Sequence, residues 1–261
     1  MGAIADIFRQ YGDAYIQHFD QGIPNAHRKA IRSIQSCRTI EQGINCYTCE
    51  GCGKVHHVYK GCGSRNCPNC QQHKGEEWLN KRMNDRLPGH HFMITFTIPQ
   101  ELRDFVRSAQ KDAYDAMFEA SSASLKALAA DPRFVGADLS GFFGVLHTWG
   151  RQLHYHPHIH YIVPGGGIDK KTKTWQSSRA DFFVSIHALS KMFRGKLRAI
   201  LKRKDLLQYI DPSIWQKPFI VNSQACGNNA EGAIKYLAPY VFRMAISDSR
   251  IVSIKNDRVT F

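Results

Sequence analysis

The chain has 261 residues, with 35 Lys and Arg against 22 Asp and Glu, and its formal net charge is +13. This length can bury a sizeable core and fits one large domain or a small module joined to a larger one. The positive charge favours a polyanionic partner. Because no apolar run approaches the roughly 20 residues of a membrane-spanning helix and the N-terminus lacks the profile of a signal peptide, we expect a cytoplasmic protein without membrane association.

A cluster of cysteines follows a predicted N-terminal helical segment over residues 1–36. Seven of the eight cysteines belong to this cluster, namely Cys37, Cys46, Cys49, Cys52, Cys62, Cys67 and Cys70. Where thiols stay reduced, such density indicates metal binding rather than disulfides. Cys49/Cys52 and Cys67/Cys70 are both C-x-x-C pairs, and four thiolates close a tetrahedral structural zinc site. The spacing predicts a small ribbon-like domain with one zinc ion.

The cysteine cluster contains more ligands than one zinc ion needs. Cys46 lies three residues before Cys49, and three histidines, His56, His57 and His73, lie close in the sequence. A second zinc ion remains open, with the candidate ligands Cys37, Cys46, Cys62 and His57.

The chain after Cys70 predicts an α+β fold. Residues 71–87 favour a helix that Pro88 and Gly89 end, so we place the zinc-binding domain at 37–88 and a second domain at 89–261. Hydrophobic periodicity predicts, in order, a strand at 90–99, a helix at 101–130, strands at 141–150 and 158–165, helices at 186–210 and 231–244, and a hairpin at 250–261. We expect a central antiparallel sheet flanked by helices. The chain stops within the last strand, so we expect either a fragment of a longer protein or a sheet that ends abruptly.

The segment HYHPHIHYIVPGGG, residues 154–167, carries four histidines at alternate positions. Side chains alternate along a strand, so these histidines share one face. Pro157 favours a regular strand that begins near His158. Desolvating four imidazoles is costly, so we interpret His158 and His160 as ligands of one metal ion, the alternative being a histidine face that contacts phosphate.

His147 lies on the preceding predicted strand and is a candidate third ligand if the two strands pair antiparallel. The alternative is a core histidine beside Trp149. An ion with open positions can polarise a phosphodiester oxygen in a basic protein.

Two tyrosines are candidate nucleophiles for such a reaction. Tyr236 and Tyr240 are four residues apart and share one face if this segment is helical. A phenol beside a cation and a phosphate can attack and hold a covalent phosphotyrosine. The alternative is an ordinary amphipathic face. Pro239 lies between them, removes the hydrogen bond to the Lys235 carbonyl and predicts a kink.

These motifs together carry a family resemblance. HPHIHYIVPGGG, YLAPYVFRMAISDSRI and the upstream CRT…CEGCG…CGSRNCPNC resemble the rolling-circle insertion-sequence transposases of the IS91 type, which belong to the HUH endonucleases and have an N-terminal zinc-binding domain. The resemblance runs from about Cys37 to Phe261. It implies that His158 and His160 hold Mg²⁺ or Mn²⁺, and related relaxases have a third histidine where His147 lies.

The resemblance also implies the reaction. Tyr236 and Tyr240 match the tyrosines that attack single-stranded DNA and leave a 5′-phosphotyrosine and a free 3′-hydroxyl. We expect a DNA nickase and strand transferase that acts on transposon ends and target DNA. Since no P-loop is present, a host helicase or the replication machinery would do any unwinding.

Candidate DNA-contacting residues are Arg65, Lys235, Arg243 and Arg250. Two alternatives remain for the function. One is a plasmid replication initiator or relaxase with the same chemistry. The other is a non-catalytic zinc-ribbon DNA-binding protein with structural histidines.

Overall fold

The computed structural model describes residues 2–139, 141–150, 152–238, 241, 246 and 248–261. The chain divides into two compact units, Met1–Lys81 with Ala238–Phe261, and Arg82–Leu237. The first boundary lies a few residues before the predicted one. The segment Ala238–Phe261 groups with the N-terminal unit, whereas the sequence predicted it as part of the second domain. In the part of the chain that the structure describes, no helix has the length and apolar character to cross a membrane.

The secondary structure is mixed. The helices are α1 (Ala3–His18), α2 (Asn25–Ser36), α3 (Pro68–Asn84), α4 (Arg103–Ser108), α5 (Gln110–Ala129), α6 (Ile186–Arg203) and α7 (Glu231–Leu237). The strands are β1 (Ile44–Thr48), β2 (Val55–Tyr59), β3 (His91–Thr97), β4 (Phe143–Trp149), β5 (Tyr155–Pro164), β6 (Gly166–Ile168), β7 (Trp175–Ser177), β8 (Ile220–Ala225), β9 (Ser253–Lys255) and β10 (Arg258–Thr260).

The N-terminal unit contains helices α1 and α2, most of α3, and two short hairpins, β1–β2 and β9–β10. Helices α1 and α2 pack together through Ala5 and Ile34. The Tyr11 hydroxyl on α1 donates to Asp257 at 2.7 Å, which joins α1 to the turn between β9 and β10. That turn has a positive φ at Asn256 (49°) and Asp257 (57°), the backbone of a tight hairpin turn. The predicted hairpin is therefore confirmed.

The second unit contains a four-stranded sheet with the strand order β4-β5-β3-β8, and every neighbouring pair is antiparallel. This confirms the predicted α+β fold with a central antiparallel sheet. One face of the sheet is apolar because Phe96 on β3 and Ile159 and Tyr161 on β5 point into the main core. Helices α5 and α6 cover this face: the Phe193 ring of α6 lies 5.0 Å from the Phe96 ring, and the Ser121 and Tyr161 hydroxyls are 2.8 Å apart.

Pro157 lies inside β5 rather than before it. The strand begins at Tyr155, three residues earlier than His158, and the pairing register with β4 shifts between His147 and Trp149. An irregularity of this kind accommodates a residue that has no N–H to donate. Continuous pairing with both neighbours starts at His158, so the proline marks the start of the regular ladder but not the start of the strand.

The glycines after β5 permit close backbone approaches. A Cβ atom at Gly165 would collide with the His90 imidazole, and one at Gly167 would collide with the Asp138 carbonyl. This glycine run therefore has a packing role in the fold.

Candidate functional site

Three histidines meet on the sheet face that lies opposite the main core. His158 and His160 alternate along β5, and His147 on β4 is the direct cross-strand partner of His158. One ligand atom from each of the three lies within 4.8 Å of the others. The His147 ring is 5.1 Å from the His158 ring and 4.6 Å from the His160 ring. The structure thus places His147 beside the other two histidines.

Hydrogen bonds fix the orientation of two of these rings. The Nδ1 atom of His158 lies 2.7 Å from the carbonyl oxygen of His156. A carbonyl only accepts, so His158 carries its proton on Nδ1 and leaves the Nε2 lone pair available. The Nδ1 atom of His160 lies 2.8 Å from the Thr95 hydroxyl, directly across the ladder on β3. The Nε2 atom of His160 is buried and has no hydrogen-bond partner among the described residues.

Burial keeps the three imidazoles neutral. Loss of solvent, reinforced by the neighbouring histidines, lowers the pKa of His147 and of His160 to about 3. Burial also lowers the pKa of His158. Neutral imidazole is the form that binds metals, so three nitrogen donors at this spacing fit one divalent cation with open coordination positions.

Tyr236 lies beside the histidines. Its ring centroid is 6.1 Å from that of His160, the two rings are nearly perpendicular at 87°, and the tyrosine is 51% exposed. Its neighbour Lys235 is exposed and forms an ion pair with Glu231 at 2.5 Å. The predicted helix over 231–244 is described only as α7, and Pro239, Tyr240 and Arg243 lie outside the described residues.

Sequence reasoning did not identify two residues near this centre, Thr95 and Arg103. Thr95 contacts His160 as described above, and Arg103 Nη2 donates to His156 Nδ1 at 2.6 Å. The alternation along β3 placed Thr95 on the face away from the core. The sequence carried no signal for its register with β5, and none for the approach of α4 to His156.

A second group of metal-ligating residues lies in the N-terminal unit. The thiols of Cys37, Cys62, Cys67 and Cys70 are all within 4.8 Å of one another. The Sγ atom of Cys70 is 3.6 Å from that of Cys37 and 3.8 Å from that of Cys62. A tetrahedral site with Zn–S bonds of about 2.3 Å places its sulfurs about 3.8 Å apart, so the cluster has the dimensions of a zinc site.

Burial opposes the ionisation of two thiols in this cluster. Burial raises the pKa of Cys62 to about 11 and also raises the pKa of Cys67. Burial acts in the same direction on Cys37, but hydrogen bonds from the Cys62 backbone and from neighbouring thiols lower the Cys37 pKa below its usual value. Thiols that coordinate a metal are deprotonated, so a bound ion would offset the cost of burying them.

The structure does not group the four cysteines that the spacing paired. Cys67 and Cys70 lie with Cys37 and Cys62, whereas Cys49 and Cys52 are exposed in the turn between β1 and β2. The β1–β2 hairpin holds Cys49 and Cys52 away from the other cysteines. Strand β1 has five residues, which places this turn about 16 Å from the hairpin base.

The base of the hairpin adjoins the four-thiol cluster. There the N–H of Arg38, next to Cys37, donates to the Lys60 carbonyl at 3.1 Å, and Cys62 follows two residues later.

The candidates for a second zinc ion are divided between two places. Cys37 and Cys62 belong to the four-thiol cluster, whereas Cys46 and His57 are exposed partners across β1 and β2.

The remaining DNA-binding candidates lie in the N-terminal unit. Arg65 is exposed two residues before Cys67. Arg250 is partly buried and ends a short 3₁₀ helix, Asp248–Arg250.

Two family models match separate parts of the chain. Residues 7–98 match a family model described as a transposase zinc-binding domain, and residues 141–261 match one described as a putative transposase. The chain is 34% identical over 278 residues to the putative transposase y4qJ of Sinorhizobium fredii (strain NBRC 101917 / NGR234), in an alignment that covers 99% of this chain and 69% of that protein.

A second relative is the transposase for insertion sequence element IS801 of Pseudomonas savastanoi pv. phaseolicola. It is 26% identical over 261 residues, which cover 90% of this chain and 60% of that protein. No solved structure matches the chain. The family resemblance drawn from the sequence motifs is thus confirmed. The chain belongs to the IS91 family of insertion-sequence transposases, which are DNA-processing enzymes, and its N-terminal part is a transposase zinc-binding domain.

Proposed function

We propose that this transposase cuts and rejoins single-stranded DNA by HUH chemistry at the histidine face, with Tyr236 as a nucleophile. One observation carries the proposal. Three neutral imidazoles from two neighbouring strands have ligand atoms within 4.8 Å of one another, and the half-exposed Tyr236 ring lies 6.1 Å from His160. A set of metal ligands beside an accessible phenol is what transfer of a phosphodiester to tyrosine requires.

The reaction exchanges one ester bond for another. The Tyr236 oxygen attacks phosphorus, the bond from phosphorus to the 3′-oxygen breaks, and the DNA 5′-phosphate becomes esterified to tyrosine. The phenol proton passes to solvent, and the released 3′-oxygen takes up a proton. Attack by a 3′-hydroxyl of another DNA end reverses these changes and frees the tyrosine. Because the number of phosphate ester bonds is unchanged, the exchange needs no nucleotide cofactor.

His147, His158 and His160 would hold the catalytic cation. When bound, Mg²⁺ or Mn²⁺ would polarise a phosphate oxygen and neutralise charge that develops at phosphorus. Mg²⁺ prefers oxygen ligands, so the all-nitrogen donor set makes Mn²⁺ the first ion to test. The bonds of His158 to the His156 carbonyl and of His160 to Thr95 would keep the two Nε2 atoms turned toward the ion.

The zinc-binding domain would act on the same DNA. We assign its structural zinc to Cys37, Cys62, Cys67 and Cys70, whose thiol spacing matches a tetrahedral site. The exposed Arg65, beside this cluster, is a candidate phosphate contact. Transposon ends and target DNA are the expected substrates, and a host helicase is the expected source of single strands.

The test is covalent capture of DNA. Single-stranded oligonucleotides from both ends of the encoding insertion sequence, labelled at the 3′ end, are incubated with the protein and Mn²⁺ and separated on denaturing gels. We expect a labelled protein adduct that digestion and mass spectrometry map to Tyr236 or Tyr240. Binding of these oligonucleotides without an adduct, in either Mn²⁺ or Mg²⁺, would refute the nickase and favour a DNA-binding role alone.

A further inference from the structure

A cationic side chain extends the row of histidines away from Tyr236. Arg103, the first residue of α4, is half-buried, and its Nη2 atom donates to His156 Nδ1 at 2.6 Å. His156 precedes His158 in the alternating row on β5, and their ring centroids are 5.1 Å apart. The Arg103 guanidinium therefore lies one histidine beyond the three-histidine centre.

Arg103 forms no ion pair with a carboxylate in the described part of the chain, although Glu101, whose pKa is lowered mainly by its hydrogen bond with Lys217, also feels the Arg103 charge. The Arg103 Nε atom is buried and has no hydrogen-bond partner among the described residues. The carboxylate of Glu101, two residues earlier, pairs with Lys217 Nζ. A partly buried cation is unfavourable unless an anion compensates it, and the observed partner, His156, accepts only one of the five guanidinium N–H groups.

We propose that Arg103, held by His156, is a subsite for a backbone phosphate of the DNA, next to the phosphate that is cut. The proposal rests on the proposed function, since it assumes that the strand to be cut lies on the histidine face. Rings along the row from His154 to His160 are 4.8 to 5.7 Å apart, so a DNA strand that follows β5 passes from the histidine centre to Arg103. The planar guanidinium fork matches two phosphate oxygens.

Phosphate is the ligand class that the site favours. The Arg103 guanidinium offers only donors, and a backbone phosphate presents acceptor oxygens at every nucleotide, whereas a matching pair of acceptors on a base edge is found at guanine N7 and O6. The contact would position the strand without reading its sequence, because phosphate contacts fix register and base contacts specify sequence.

Arg107 provides a matched control. It lies four residues further along the same helix, is exposed, and stacks its guanidinium over the Tyr155 ring at 5.7 Å. Arg103→Gln and Arg107→Gln remove the same charge from the same helix. The two variants therefore have the same net charge and similar effects on the helix. They differ in the distance of the lost guanidinium from the histidine row.

The experiment is a scan of single methylphosphonates through a single-stranded oligonucleotide from an element end, with binding measured for each protein. Each methylphosphonate removes one phosphate charge. We expect Arg103→Gln to bind the unmodified oligonucleotide about tenfold more weakly, the size of a lost charged hydrogen bond. For this variant, the slope of log K against log salt concentration should be shallower by about 0.7, the value for one lost phosphate contact to a single strand.

The decisive result is coupling at one position. At one position, the methylphosphonate should weaken DNA binding by the unmodified protein and by Arg107→Gln but leave binding by Arg103→Gln unchanged. Parallel losses in all three proteins at every position would overturn the proposal and leave Arg103 a structural role. Arg103→Lys, which keeps the charge and loses the fork, tests the same coupling if the glutamine variant unfolds at a lower temperature.

Binding is measured without cleavage, so this test is independent of the nickase itself. A chain that forms no adduct can still show the coupling, and a chain that forms the adduct can still lack it.

Discussion

The cysteine cluster of the N-terminal unit offers a sharp test, because the spacing and the structure point to different zinc ligands. We expect Cys37→Ser to abolish zinc binding and to unfold this unit, and Cys49→Ser to leave both nearly unchanged. Cys37 is buried and its thiol is 3.6 Å from Cys70, whereas Cys49 is exposed in a hairpin turn. Each variant replaces one sulfur by oxygen, so the pair separates the two ligand assignments.

The expected size of the effect follows from the small core. Four of the seven residues in the apolar cluster around these thiols are cysteines, so the metal site makes up much of that cluster. A structural zinc ion contributes about 10–16 kcal/mol to folding, or about 3 kcal/mol for each of four thiolates. Native stability is about 5–15 kcal/mol, so losing one ligand removes a large part of it. A substitution at exposed Cys49 should cost less than about 0.5 kcal/mol.

The assay combines metal content with thermal unfolding. Zinc is measured by mass spectrometry after gel filtration, and unfolding is followed with and without a chelator. Wild-type protein and Cys49→Ser should keep one zinc ion per chain, and the chelator should lower the unfolding temperature of both. Retention of zinc by Cys37→Ser together with its loss from Cys49→Ser would refute the grouping by geometry and restore the grouping by spacing.

Four further outcomes are expected at the histidine face. His158→Ala and His160→Ala should each abolish the covalent adduct but keep salt-sensitive DNA binding, since binding draws on many Lys and Arg contacts; full adduct formation would exclude a metal role. His147→Ala should weaken Mn²⁺ binding, measured by calorimetry, without lowering the unfolding temperature. Tyr236→Phe should lose its share of the adduct, and mass mapping of the remaining adduct shows whether Tyr240 also reacts. Thr95→Val should weaken Mn²⁺ binding about 10- to 100-fold and Thr95→Ser should restore it, because the hydroxyl orients His160; equal affinity in all three proteins would contradict this role.

The sequence predicted the histidine pair because strand alternation is a local property. His158 and His160 share a face in any regular strand, whatever that strand pairs with. The contact between Thr95 and His160 depends instead on the register of two strands separated by 65 positions, which the sequence alone does not set. The third histidine is an intermediate case, because short connections favour antiparallel neighbours and so placed His147 near His158.

The cysteines show the same division between local and distant information. Their spacing predicted a metal-binding segment, and one predicted pair, Cys67 and Cys70, lies in the four-thiol cluster at the start of α3. The identity of the other two cysteines in the cluster depends on where the chain runs after the β1–β2 hairpin. Strands β1 and β2 carry the Cys49/Cys52 turn away from the cluster and bring Cys62 back to Cys37, which lies at the end of α2. Spacing cannot distinguish a C-x-x-C pair at the tip of a hairpin from cysteines at its base.

The two faces of the four-stranded sheet differ in their contribution to stability. The face toward α5 and α6 contains the large buried core and accounts for most of the apolar burial in this unit. The opposite face buries imidazoles whose lowered pKa records a cost of desolvation. Removing one of them should therefore leave the unfolding temperature unchanged or raise it, as is common for groups kept for function at the expense of stability. A large loss of stability in His160→Ala would instead mean that this histidine serves the fold, and the catalytic assignment would have to be withdrawn.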